Sequence, residues 1–205
     1  MDRIIPERIT RAYLETAMRG CFQAKGMDMM QHGELVHDWF ADLHQHLTTG
    51  RPLQLEWRLP DWIQDPRLIE GLLPFETLRT YQVWHDCGKP FCRTVDDAGR
   101  QHFPGHAEMS ARLWRAAGGT EQEARLMAMD MDIHTLSGDG VPEFAARPEA
   151  ASLILTGLAE VHANASLFGG TSSDSFKIKL KHISRRGKQI LAAMPPAGRA
   201  MGDAA

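Results

Sequence analysis

Cysteine, net charge and long apolar runs are all scarce in this chain, and each shortage excludes something. There are three cysteines in 205 residues, Cys21, Cys87 and Cys92. So small and odd a number argues against a disulfide framework and suits a reducing compartment, so a cytoplasmic setting is expected. The spacing of Cys87 and Cys92 is not that of a zinc ribbon. No apolar run approaches the roughly 18 residues that cross a bilayer, so no membrane partner is expected. The opening MDRIIPERIT mixes charges with an early proline and does not read as a secretory leader. The formal net charge is only −3, which gives no global pull toward nucleic acid or lipid, so any basic surface must be local. Neither a P-loop nor a G-x-G-x-x-G pattern is present, which removes the common nucleotide cradles. There is no internal repeat.

What remains is ordinary in bulk and unusual in one respect. The chain is long enough for one domain with a full core. Its 43% hydrophobic and 24% charged residues are those of a globular protein. Ten residues are histidine, the commonest metal ligand and the natural proton carrier near neutral pH.

Most of the chain has helical periodicity. Ile9, Tyr13, Leu14, Met18 and Phe22 recur at helical spacing in a helix expected over 7–24, and Val36, Phe40, Leu43 and Leu47 continue in one over 27–48. Gly50, Pro52 and Pro60 break the pattern, and 54–59 could form a short extended piece. Helix is expected to resume over 68–86 with an interruption near Pro74. A loop follows over 88–105, with turn signals at Asp97-Ala98-Gly99 and Pro104-Gly105. Helices are expected near 104–117 and 120–135, the second opened by a Thr120/Glu123 capping box. A loop over 137–148, helices over 148–167 and 174–193 separated by a Gly/Ser/Thr stretch, and a disordered tail over 196–205 complete an all-α reading, with residues 1–195 as one domain.

Chemistry concentrates in Trp84-His85-Asp86-Cys87-Gly88-Lys89-Pro90. An apolar helix ends by presenting His and Asp side by side, and Gly and Pro then turn the chain. His32 lies upstream; His106 lies downstream in Phe103-Pro104-Gly105-His106, and His134 follows Asp130. Imidazole with carboxylate, without paired thiolates, suits manganese, iron, cobalt, nickel or zinc better than calcium. Asp130 stands four residues before His134, where it could orient that imidazole or simply be exposed. A second His-Asp pair, His37-Asp38, lacks the Gly-Lys-Pro continuation and reads as a solvated helix face. The run from Ser175 to Lys188 is basic with apolar residues at helical spacing. It is either an amphipathic helix with solvated Lys and Arg or a rim that draws a polyanion.

The series resembles the HD-domain superfamily of metal-dependent phosphohydrolases. The local pattern of HDCGKP, then Asp97-Ala98-Gly99-Arg100, then Phe103-Pro104-Gly105-His106 is similar to the HD domain attached to bacterial CCA-adding enzymes. The tight likeness covers residues 84–111 and a looser one runs from 32 to about 166; the nucleotidyltransferase half of those enzymes is missing. The resemblance implies a single HD-type helical bundle with one or two divalent transition-metal ions on His32, His85, Asp86, His106, His134 and Glu160. Glu160 stands where the family has Asp, and His162 is a neighbouring alternative. Asp86 and Lys89 would be catalytic, with Lys89 and Arg93 meeting phosphate. The implied activity is hydrolysis by a metal-bound hydroxide of a phosphate ester, in a phosphorylated small molecule or nucleotide or at an RNA or DNA end. Two other classes share the pattern: an HD-type mixed-valent di-iron oxygenase, and a non-catalytic metal-stabilised module that binds nucleotides or RNA.

Overall fold

Side-chain caps start several of the helices. Thr10 accepts a hydrogen bond from the Tyr13 amide at 3.2 Å and opens α1 (Arg11–Arg19), which ends at Gly20. A short antiparallel pair follows, β1 (Phe22–Ala24) with β2 (Met27–Asp28), with Gly26 in the left-handed region at φ +83°. The expected helix over 7–24 therefore stops early, and Phe22, placed by periodicity in the core, is 51% exposed. The long α2 (Met29–Thr49) is where it was expected.

The computed structural model describes residues 8–24, 26–167 and 169–195. The expectations for the first seven residues and for the tail over 196–205 lie outside these. Residues 54–59 form no strand; the Asp42 carboxylate instead accepts the Gln54 and Leu55 amides and the Trp57 indole N–H, at 2.9–3.1 Å. A 3-10 turn (Asp61–Gln64) leads into α3 (Pro66–Glu70), with Asp65 as cap and proline in the first turn. After Pro74 comes α4 (Phe75–Trp84). The stretch expected as loop over 88–105 holds a one-turn α5 (Lys89–Cys92) and a hairpin of β3 (Thr94–Val95) with β4 (Gln101–His102) around the Asp97-Ala98-Gly99 turn. Then come α6 (His106–Ala116) and α7 (Glu121–Ala128), the latter with the expected capping box complete. The helix expected to continue to 135 breaks after α7, and α8 (Asp132–Thr135) is separate. The next expected loop contains α9 (Val141–Ala145). Finally α10 (Ala150–Leu167) precedes α11 (Asp174–Ala193), which Ser173 caps through the Phe176 amide at 3.2 Å. The protein is mostly helical.

By contact density the chain divides into two compact units, Met1–Asp38 with Pro74–Met131, and Trp39–Leu73 with Asp132–Ala205. In the first, α6 packs on α7, α4 on α7, and α5 on α6. Its core includes Leu14, Met18, Leu78, Tyr81, Trp114 and Leu126. The Trp114 indole donates to Glu123 at 2.8 Å, so the acid that caps α7 also satisfies the largest buried aromatic. In the second unit, α11 packs against α9 and α10, and α3 against α10. Here α10 is apolar nearly all round, as a central helix must be.

Candidate metal centre

Two glycines set the geometry of the first unit. Gly33 lies in α2 beside the end of α4, where a Cβ would sit 2.2 Å from the Val83 carbonyl oxygen. Only a residue without a side chain lets the two helices approach this closely, and the approach brings His32 beside His85, ring centroids 5.5 Å apart. Gly88 does the same for α5 and α6. A Cβ there would meet the His106 carbonyl oxygen and the Ser110 amide, both at 2.5 Å, while the Gly88 amide donates to Ser110 Oγ at 2.8 Å. Gly105, with φ +66°, lets the chain enter α6 with His106 as its first residue.

The result is a buried carboxylate ringed by imidazoles. Asp86 and His32 are fully buried and His85 nearly so. Asp86 Oδ2 lies 3.3 Å from His85 Nε2 and 3.8 Å from His32 Nε2, and Oδ1 lies 3.7 Å from His106 Nε2. The Lys89 ammonium is 2.7 Å from Oδ2 and also donates to Gln23 Oε1 at 3.1 Å. Burial pushes the Asp86 carboxyl up, but its neighbours His85, Lys89 and His32 outweigh it and hold the group well below the usual carboxylate range.

Hydrogen bonds on the far side of two imidazoles decide what these nitrogens can do. His85 sits at the C-cap of α4 and its Nδ1 is 2.7 Å from the Gln82 carbonyl; His106 Nδ1 is 2.9 Å from the Phe103 carbonyl. A carbonyl only accepts, so both Nδ1 atoms carry the proton. In the neutral rings the Nε2 lone pairs then face a carboxylate, an arrangement that repels unless a cation lies between. Two ligand atoms each about 2.1 Å from one ion, at octahedral to tetrahedral angles, stand roughly 3.0–3.4 Å apart. The His85 to Asp86 separation falls in that range, and the ligand atoms of His32, His85 and Asp86 all lie within 4.8 Å of one another. Among the described residues Asp86 Oδ1 has no hydrogen-bond partner. This group could hold a metal ion.

The remaining expected site residues divide as follows. Arg93 is exposed at the end of α5. His134 and Glu160 belong to the second unit, where Nε2 and Oε2 pair at 3.0 Å. The neighbouring alternative, His162, is a core histidine. Its Nδ1 donates to the Leu158 carbonyl at 2.8 Å, its Nε2 accepts the Arg58 amide at 3.1 Å, and its ring packs among Trp39, Trp57 and Phe176. Both ring nitrogens are thus committed to backbone, and burial lowers its pKa. Asp130 was expected either to orient His134 or to be exposed; it is buried and accepts the Tyr81 hydroxyl at 2.7 Å. The helical register that would align it with His134 is lost between α7 and α8.

His37, expected on a solvated face, is half-buried. Its Nδ1 meets Gln82 Oε1 at 2.8 Å and its ring lies edge-on to Phe75. Sequence reasoning missed Gln82, which is fully buried and connects the two histidines, backbone carbonyl to His85 and side chain to His37. A glutamine three residues before His85, on a face with Leu78, was the available signal. It also missed Ser110, four residues past His106 on the same helical face.

No protein-family model, curated protein or solved structure matches the chain.

Proposed function

We propose that the chain is a metal-dependent phosphohydrolase of the HD type, acting on the phosphate ester of a nucleotide or of a nucleic-acid end. The observation that carries this reading is the buried His32, His85, Asp86 group with the Lys89 ammonium 2.7 Å from the same carboxylate. The HDCGKP and FPGH runs and their likeness to HD domains support it from the sequence side.

His32, His85 and Asp86 would hold a divalent transition ion, and imidazole with carboxylate suits manganese, iron, cobalt, nickel or zinc. The two oxygens of Asp86 face different imidazoles, His32 and His85 on one side and His106 on the other. That division would let Asp86 help to hold a second ion, with His106, if two bind. A bound ion supplies Lewis acidity to phosphoryl oxygens and lowers the pKa of water. The backbone carbonyls of Gln82 and Phe103 orient the imidazoles and keep their Nε2 atoms available. Lys89 is held beside the carboxylate by Gln23 and lies 5.5 Å from the centre of the Phe103 ring, and its charge would offset a phosphate oxygen brought to the site. Arg93, exposed one turn on, offers a second cation.

The test is hydrolysis of a chromogenic phosphomonoester and phosphodiester with manganese, cobalt, nickel, iron or zinc supplied. Turnover is expected with at least one metal and should fall by on the order of 100-fold or more in the His85→Ala/Asp86→Ala double variant. No turnover with any metal, or undiminished turnover in that variant, overturns the proposal.

A further inference from the structure

The exposed face of α11 has no structural explanation. The helix carries Lys177, Lys179, Lys181, Arg185, Arg186 and Lys188 against a single acid, Asp174, in a chain whose formal net charge is −3. Lys177, Lys181, Arg185 and Lys188 are all exposed. At 100° per residue they fall within about 80° of one another, and at 1.5 Å per residue they extend over about 16 Å. Lys177 pairs with Asp174 at 3.3 Å. Among the described residues Lys179, Lys181, Arg185 and Lys188 make no ion pair.

Such a stripe is costly for a helix. Like charges four residues apart oppose it by a few tenths of a kcal/mol per pair, and a cation in the first turn opposes the macrodipole. An ordinary solvated face alternates the signs. Here the packing face already anchors the helix. Phe176, Ile183, Ile190 and Leu191 are buried, Gly187 lies against Trp62 with room for no Cβ, and the Trp62 indole donates to the Ser184 carbonyl at 2.9 Å. The opposite face is therefore available to a partner.

We infer that this face of α11 binds the phosphodiester backbone of a nucleic-acid strand. A linear row of cations matches a linear row of phosphates, and about 16 Å of helix spans roughly five phosphates of one strand. A lipid surface fits less well: insertion needs apolar area beside the cations, and the large apolar residue exposed on this helix is Ile178 alone. A protein partner would need an apolar anchor that the face likewise lacks. The inference stands on α11 by itself and is read as binding, so its outcome is separate from that of the hydrolase proposal.

The experiment titrates the full-length chain into a labelled single-stranded RNA 20-mer and a labelled duplex DNA of equal length, followed by fluorescence anisotropy. Four neutralised phosphates predict that affinity drops about 50-fold for the single strand, or about 150-fold for the duplex, between 50 and 200 mM salt. The variant Lys177→Gln/Lys181→Gln/Arg185→Gln/Lys188→Gln should lose this salt-sensitive binding, while Arg79→Gln, on α4, should not. Circular dichroism checks that the fold persists. Were the quadruple variant to unfold, Lys181→Gln and Lys188→Gln singly should each reduce the salt slope by about 0.7 for a single strand. Absence of binding at 50 mM salt, or equal binding by wild type and the α11 variants, overturns the inference.

Discussion

At the scale of single residues, Asp86 lies buried among His32, His85, His106 and Lys89. Asp86→Asn preserves its shape and removes the charge, so metal affinity should fall at least tenfold. Elemental analysis after dialysis against a metal buffer measures this. Lys89→Met should separate the two roles at the same site. Metal content should stay near that of wild type while kcat/KM falls by about 10–100-fold, as expected when one cation aimed at developing phosphate charge is lost. Elsewhere, Asp65 carries a pH dependence. Its hydrogen bonds from Arg67, 2.6 Å to Oδ2 and 3.0 Å to Oδ1, hold its carboxyl below the usual carboxylate range despite burial pushing the other way. A carboxyl depressed in the folded state binds its proton more readily when unfolded. The stabilisation is therefore present above the unfolded value near 3.9 and is lost as the pH falls through the lower folded value. Asp65→Asn should cost less than about 1 kcal/mol at pH 7, because the pair is partly exposed. That cost should shrink below pH 4, as urea unfolding at a series of pH values will show.

Between elements, backbone contact decides more than side-chain contact does. Gly33→Ala would drive a methyl into the Val83 carbonyl, separating α2 from α4 at the point where His32 meets His85. The variant should lose about 1–3 kcal/mol by urea denaturation and lose metal uptake with it. A Cβ at Gly138 would have no neighbour within 4 Å, so Gly138→Ala should stay within about 0.5 kcal/mol of wild type. The elements were unevenly legible in the sequence. Thr120 and Glu123 announced α7, and the alternation of Phe176, Ile183 and Ile190 with Lys and Arg announced α11 to its observed ends, because caps and amphipathic faces are local properties. The early end of α1 was not legible. Phe22 keeps helical register, yet after Gly20 the backbone gains more by pairing with Met27–Asp28. The break after α7 was hidden for a related reason. The 120–135 stretch kept helical periodicity, yet α7 ends at Ala128 and Asp130 is buried in a hydrogen bond from Tyr81, a residue far away in sequence.

For the molecule as a whole, binding of a metal ion at the His32, His85, Asp86 group would be linked to stability. An ion that binds only the folded protein adds about 2.7 kcal/mol at a hundred times its Kd. For a chain of this length that corresponds to a rise in Tm of roughly 5–10 °C. Adding manganese, cobalt, nickel, iron or zinc to chelator-treated protein should produce the shift with at least one of them, and His85→Ala should abolish it, by differential scanning calorimetry. Charge is a second property on this scale. With six cations on α11 and a net charge of −3, acids elsewhere must outnumber the remaining bases, so the cationic surface is confined as the bulk composition required. Among the described residues no helix is long and apolar enough to cross a membrane.

The sequence by itself determined the predominance of helix, the near-absence of net charge and the run of residues from which the centre is built. Each follows from neighbours along the chain: periodic apolar positions, capping side chains, and His85 and Asp86 side by side at a helix end. Tertiary structure alone decided which other histidines join them. His32, His106, His134 and His162 all lie near apolar helical residues, and periodicity does not rank them, although the family likeness put the first three ahead of His162. Close backbone approach at Gly33 and Gly88 brings His32 and His106 to Asp86. The Leu158 carbonyl and the Arg58 amide occupy both nitrogens of His162 and make it part of a core. An imidazole becomes a candidate ligand or a packing residue according to what its second nitrogen meets, and that partner comes from through-space packing that no sequence spacing encodes.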